Sequence, residues 1–339
     1  MNMIKKKVAK FIFAHPTFYE SLKILISSRY LANNKLYKKF FLKTANEYAK
    51  KYQLSKKVVF IETTLDCNSK CVFCYHSKKK LTGTMTMDLF KKIIDDCYAN
   101  NITHVILSIY GEVLMDKFLF ERIQYLRKYG MTYGLITNGS LLNKEKAERL
   151  FSLGGLRSIN FSVNGYTKEA YGKIMVGLNR DVTYKNILYF LNYKEKLRQK
   201  DTQVSISIVK NRLNNKDLKD FFKFWIKQRG VNAIFPNELM DRMGDDYGDK
   251  LTLGPLGRNH RRGNWLLPCK DLWDTMYIYF DGRVTPCCGD NDLRKLIIGD
   301  VNKESLEQID TGKSIEFLRK VHLEDKRSTH NVCDKCYSS

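Results

Sequence analysis

What the chain lacks narrows its class first. No apolar run approaches the roughly 18 residues that span a bilayer as a helix, and the best N-terminal candidate, Phe11 to Ala14, is cut short by His15 and Pro16. Neither a transmembrane helix nor a secretory signal is expected. Proline is scarce, with five among 339 residues beside 20 glycines, which excludes collagen-like and low-complexity polymers. A hydrophobic share of 43% with 12% aromatics removes the disordered class. At roughly 150 residues per domain the length fits about two folded units. Acidic side chains are also in short supply: 36 Asp and Glu against 59 Lys and Arg give a formal charge of +23. That excess favours an anionic partner.

The charge is unevenly spread. Residues 1–57 hold thirteen Lys and one Arg against only Glu20 and Glu47, a local +12. Thr17 and Glu20 form a capping box after Pro16, and Phe18, Leu22, Leu25 and Ile26 recur at helical spacing, so this is read as a basic helical segment. It is expected either to meet an anionic membrane leaflet or polyanionic carrier, or to cap the protein with its lysines in solvent.

From residue 58 to 235, short β-rich runs alternate with lysine-, glutamate- and leucine-rich stretches of helical character. The runs are Val58 to Thr64, His104 to Tyr110, Thr132 to Thr137, Ser158 to Val163, Gln203 to Val209 and Val231 to Phe235. Six β/α units imply an α/β fold with a parallel sheet, whose chemistry sits at the strand carboxyl ends. Between residues 236 and 268, five glycines and the charges Arg258, Arg261 and Arg262 break the period, which reads as an irregular linker or active-site loop. Residues 269–339 form a small cysteine-rich unit with a hairpin signal, Asp281-Gly282, too small to be stable on apolar burial alone.

The nine cysteines are an odd number in tight groups, and without an export signal they read as ligands in a reducing cytosol rather than as disulfides. Cys67, Cys71 and Cys74 have the spacing Cys-x3-Cys-x2-Cys just after the first strand. Three thiolates on so short a loop hold three corners of a [4Fe-4S] cubane and leave the fourth iron open; with His76 as a fourth donor, structural zinc is the rival. Farther on, Cys269 is followed by twelve residues, Gly282, four residues and Cys287, and Cys333-x2-Cys336 completes a group of four. One fully ligated auxiliary cluster or a four-cysteine zinc ribbon fits that group. Cys97 sits at helical spacing with Ile93 and Ile94 and reads as a buried small hydrophobe. Cys288 is left over: a replacement ligand for Cys287, an inert thiol, or a hydrogen-atom donor.

With Phe73 at the aromatic position, the first motif resembles that of the radical S-adenosylmethionine (SAM) superfamily, and the resemblance extends over roughly Val58 to Ser339. It implies a partial (β/α)6 barrel whose open iron is chelated by S-adenosylmethionine. It also implies reductive cleavage to a 5′-deoxyadenosyl radical and an external one-electron donor such as flavodoxin or ferredoxin. Gly111 and Glu112 resemble the family's motif for the methionine amino group, although Tyr110 and Val113 depart from it. Asn138 matches the turn after the third strand, and Ser162 with Asn164 resembles the pair at the ribose hydroxyls. Met175 stands where relatives carry an arginine. The second cysteine group resembles the SPASM/twitch extension with a single auxiliary cluster.

That combination most resembles the radical dehydrogenase that oxidises a secondary alcohol of an aminocyclitol, and also SPASM proteins of surface-glycan pathways. The resemblance implies oxidation of a sugar or cyclitol alcohol by a cytoplasmic protein, peripheral at the inner membrane surface if the basic segment binds lipid. Epimerisation and modification of a ribosomally made peptide use the same architecture. A zinc-stapled basic protein binding nucleic acid is the reading from another class, against which stands the absence of a recognisable binding module.

Overall fold

The computed structural model describes residues 57–76, 81–239, 268–289, 295–324 and 326–333, with Lys39, Lys43, Glu47, Leu54 and Leu251. Most of residues 1–57, on which the basic helical reading falls, most of the loop at 236–268, and Cys336 lie outside the described residues.

Strand β1 (Val58–Ile61) leads into the cysteine loop, which carries the two-residue strand β2 (Lys70–Cys71) and ends at helix α1 (Met87–Ala99). The alternation continues through β3 (His104–Ile106), α2 (Leu119–Lys128), β4 (Thr132–Thr137), α3 (Lys144–Leu153) and β5 (Leu156–Ser162). Helix α4 (Lys168–Ile174), β6 (Met175–Val176), α5 (Arg180–Lys196), β7 (Gln203–Lys210), α6 (Leu218–Trp225) and β8 (Ala233–Glu238) follow. Caps set the helix starts: Thr86, Asn143, Thr167 and Asn179 each accept a backbone N–H of the first turn. Each helix then buries one stripe, as α1 buries Phe90, Ile93, Ile94 and the fully covered Cys97.

The six longer strands of this region pair in parallel in the order β1, β3, β4, β5, β7, β8. This is the partial barrel of an α/β protein. Phe161 of β5 meets Phe190 of α5 edge-on, 5.6 Å between ring centres, so Ile159 and Phe161 face the helices, and Ser158, Asn160 and Ser162 face the concave side.

Three differences from the sequence pattern position the site. The first run was drawn to Thr64, but β1 stops at Ile61: the Glu62 N–H turns to Ile278 O and Thr63 O accepts from Met85 N, so the chain leaves the ladder early to build the cysteine loop. The second run likewise stops at Ile106 rather than Tyr110, opening into the tight turn at Gly111. The sixth runs past Phe235 through Pro236 to Glu238. A proline is tolerated there because β8 ends the sheet order.

The C-terminal residues do not stand apart. Helix α7 (Asp271–Asp274), hairpin strands β9 (Thr275–Ile278) and β10 (Arg283–Thr285), β11 (Gly299–Asp300), α8 (Leu306–Asp310) and α9 (Lys313–Leu323) follow the loop. Strand β9 pairs in parallel with β1, extending the sheet to nine strands, and Met276, Ile278, Val284 and Leu306 join the same apolar core as the barrel strands. Size arithmetic on residues 269–339 alone misses this shared burial. Buried Lys57 adds a polar tie: its Nζ donates to Trp273 O at 2.6 Å and lies 3.1 Å from Asp310, which Arg319 also holds at 2.5 Å.

Candidate functional site

The loop bearing Cys67, Cys71 and Cys74 is clamped from two sides. On one, Cys71 pairs antiparallel with Met175 in the β2–β6 ribbon, and Val72 N donates to Ile174 O at 3.1 Å. On the other, Asn68 Nδ2 donates to Ser140 Oγ and its Oδ1 accepts from Asn138 Nδ2, both at 2.9 Å. The three thiols lie close enough for Cys67 and Cys74 to act electrostatically on Cys71. Burial pushes the Cys67 thiol up to about 11 and the Cys71 thiol to about 12. Such thiols stay protonated near neutrality until a metal displaces the proton. Among the described residues no three His, Cys, Asp or Glu side chains converge on one point as a single ion requires. Three thiols on one loop, each able to meet its own iron, are a donor set that suits a cluster.

The turn after β3 closes on this loop. Gly111 has φ +73, and a Cβ there would stand 2.4 Å from Thr64 O, so no larger residue fits. Glu112 follows, only 1% exposed. Its carboxylate accepts from Leu114 N at 3.1 Å, Thr137 Oγ1 at 2.5 Å and Asn138 N at 2.7 Å. Burial raises its pKa and these bonds oppose the rise. Of about four acceptor directions on a carboxylate, the protein itself fills three.

Asn138 and Asn164 are equally committed. Asn138 Oδ1 accepts from the Ser140 N–H and hydroxyl, at 2.9 and 2.6 Å. Asn164 Oδ1 accepts from Val209 N at 2.8 Å, while its Nδ2 donates to the Met175 thioether at 3.1 Å. Ser162 is half-buried, its Oγ 3.4 Å from Ser207 Oγ. Sequence reasoning missed Asn68, although it adjoins the first cysteine. It also gave Met175 no role, whereas the structure places the Met175 sulfur between Cys71 Sγ, 3.5 Å away, and Asn164. Replacing Asn68 by Ala removes one of the two clamps; the reconstituted variant is expected to show altered g-values of the reduced cluster in electron paramagnetic resonance (EPR), at unchanged thermal midpoint. An unchanged spectrum with S-adenosylmethionine present would deny Asn68 this role.

The second group lies along the C-terminal elements. Cys269 N donates to His322 Nδ1 at 3.1 Å, and Cys333 N to His330 Nδ1 at 3.4 Å. Burial drives His322 down to about 3, so it is neutral and its Nδ1 is free to accept. Gly289 N donates to Cys287 Sγ at 3.3 Å. The Cys288 thiol donates to Asp271 Oδ2 at 3.4 Å, and burial raises the pKa of that carboxyl. Cys336 lies outside the described residues.

Two family models match this chain: the radical SAM superfamily over residues 61–224 and the SPASM iron–sulfur cluster-binding domain over residues 269–337. The chain belongs to the radical SAM superfamily, in its SPASM subgroup. Its cofactors are therefore a [4Fe-4S] cluster with S-adenosylmethionine and auxiliary iron–sulfur. The tungsten-containing aldehyde ferredoxin oxidoreductase cofactor-modifying protein of Pyrococcus furiosus is 25% identical over 199 residues, 57% of this chain and 54% of that protein. The antilisterial bacteriocin subtilosin biosynthesis protein AlbA of Bacillus subtilis is 23% identical over 295 residues, 81% of this chain and 64% of AlbA. The chain thus spans about half to two thirds of these relatives. BtrN in complex with AdoMet and 2-DOIA shares the fold, with TM-score 0.55 at 16% identity, over 83% of this chain and 92% of BtrN. Among the described residues no helix is long and apolar enough to cross a membrane.

Proposed function

We propose that this radical SAM enzyme oxidises a secondary alcohol of a sugar or cyclitol by two electrons. In this reading Cys67, Cys71 and Cys74 hold the radical cluster. Gly111, Glu112, Asn138, Ser162 and Asn164 surround S-adenosylmethionine, with Glu112 offering its remaining acceptor direction to the methionine amine. Cys269, Cys287, Cys333 and Cys336 hold one auxiliary [4Fe-4S] cluster. When bound, the open-iron cluster supplies the electron, delivered by a donor such as flavodoxin or ferredoxin, that releases a 5′-deoxyadenosyl radical able to take a hydrogen atom from substrate.

The observation that carries the reading is the pairing of β9 with β1. It builds the β9–β10 hairpin, whose second strand leads to Cys287, onto the barrel's own sheet, and Tyr277 of β9 stacks on Phe60 of β1 with ring centres 4.5 Å apart. A carbinol radical formed in the barrel must lose one more electron and a proton to become a ketone. An acceptor built onto the same sheet suits that second step, whereas a redox-neutral isomerisation has no use for one.

Cys288 favours a second reading, epimerisation, in which its thiol returns a hydrogen atom to the substrate radical; the bond to Asp271 holds that thiol in one place. The similarity to AlbA supports a third, peptide modification. A substrate deuterated at the carbinol carbon is expected to pass its label into 5′-deoxyadenosine, with one S-adenosylmethionine consumed per ketone formed. Under this reading Cys288→Ala still yields ketone. An inverted, redox-neutral product carrying solvent deuterium, lost in Cys288→Ala, would establish the epimerase instead.

A further inference from the structure

The concave face of the sheet carries polar groups whose bonding capacity the fold leaves unused. Residues paired across a parallel ladder share a face, so the register Asn160↔Ser205, Ser162↔Ser207 and Ser207↔Phe235 extends the concave side from β5 to β7 and β8. The two faces differ in chemistry. Toward the helices, Ile159, Phe161, Val204 and Ile206 are fully buried. Toward the concave side, Asn160, Ser162 and Ser205 are only half-buried and Phe235 is 49% exposed. A strand face that is both polar and open is built to meet something other than the protein's own core.

Ser207 Oγ donates to Asn160 Oδ1 at 2.8 Å. That bond fixes the Asn160 carboxamide and leaves its Nδ2 without a partner among the described residues, as is the Ser205 hydroxyl beside it in the ladder. None of the positions that β5, β7 and β8 turn to this side is charged. The same face continues through the register Ser158↔Gly134, Gly134↔Ile106 and Ile106↔Phe60 to the stacked pair Phe60 and Tyr277. One end of the concavity is therefore a neutral hydrogen-bonding surface and the other an aromatic wall.

We propose that Asn160 and Ser205 form the substrate-specificity subsite and select an uncharged, polyhydroxylated ring. The inference rests on the alcohol-oxidation reading and names the substrate class for it. A phosphorylated ligand calls for Arg, Lys or a helix N-terminus, and these three strands offer no cation on this side. An extended peptide pairs through its backbone with a sheet edge, not with a sheet face. Neutral hydroxyls match an amide donor and a hydroxyl.

The test uses anaerobically reconstituted, S-adenosylmethionine-loaded full chain, with myo-inositol and N-acetylglucosamine as probes in ligand-observed NMR. Cyclohexanol and a neutral Ser/Gly hexapeptide serve as comparators. The polyols are expected to bind and the comparators not to; Asn160→Leu weakens polyol binding by about tenfold, and Ser205→Ala severalfold, with S-adenosylmethionine affinity and thermal midpoint unchanged. Ser205→Ala keeps the test open if the leucine variant folds poorly. Absence of polyol binding, a preference for the hexapeptide, or equal polyol affinity in both variants overturns the proposal. The reaction type is judged separately: polyol binding lost in Asn160→Leu together with an inverted product would sustain the subsite and reject the oxidation.

Discussion

Replacing Cys67, Cys71 and Cys74 together by Ala is expected to lower the iron of anaerobically reconstituted protein from about eight atoms to about four, and to abolish reductive cleavage of S-adenosylmethionine. The described members of the two cysteine groups lie on different parts of the fold, Cys67, Cys71 and Cys74 in the loop after β1, Cys269 before α7, Cys287 after β10 and Cys333 after α9. Each is braced by its own contacts: Asn68, Asn138 and Met175 around the first, His322 and His330 around the second. Loss of the first should therefore leave the second loaded. Iron analysis with EPR of the dithionite-reduced variant checks both halves of the expectation. A variant that keeps all its iron and still yields 5′-deoxyadenosine would remove these three residues from the radical centre.

Arg122→Met is expected to destabilise the fold by about 3–5 kcal/mol, because it leaves a buried carboxylate without its partner. Arg122 is fully buried on α2, with Nε donating to Asp116 Oδ2 at 2.8 Å and a second nitrogen to Met85 O. Its guanidinium lies 5.0 Å from the centre of the Phe90 ring and 5.6 Å from that of Phe118. Asp116 closes the short turn that begins at Glu112, and Met85 lies where the cysteine loop returns toward α1. The ion pair therefore ties the Glu112 turn to the end of the cysteine loop. Urea denaturation of Arg122→Met against the parent measures the loss; the double variant Asp116→Asn with Arg122→Met should recover part of it, since the unpaired charge is then gone. A cost below about 1 kcal/mol, ordinary for a surface pair, would reject this account.

Much of the site is legible in the chain because its signals are local. Period-two runs followed by helical stripes specify the β/α alternation, and Cys-x3-Cys-x2-Cys puts three thiols on one loop whatever the rest of the fold does. Gly111 is legible too, as a turn glycine, although only the structure shows Thr64 O against it. Glu112, Asn138 and Asn164 are legible as polar groups that follow strands, but their bonding is not: Glu112 holds Thr137 and Asn138, and Asn164 holds Val209.

By itself the sequence determined the charge balance, the parallel α/β class, the two cysteine groups and the hairpin at Asp281-Gly282, all of which depend on residues within about one β/α unit of each other. Tertiary structure alone decided which side of each strand is concave, since period two separates two faces without saying which one the helices cover. It also decided the pairing of β9 with β1, which removes the need for the C-terminal unit to be stable by itself. The links from Asn68 to Asn138, from Cys71 to Met175 and from Phe60 to Tyr277 cross long stretches of chain. Contacts between residues so far apart leave no periodicity behind, so only folding brings them together.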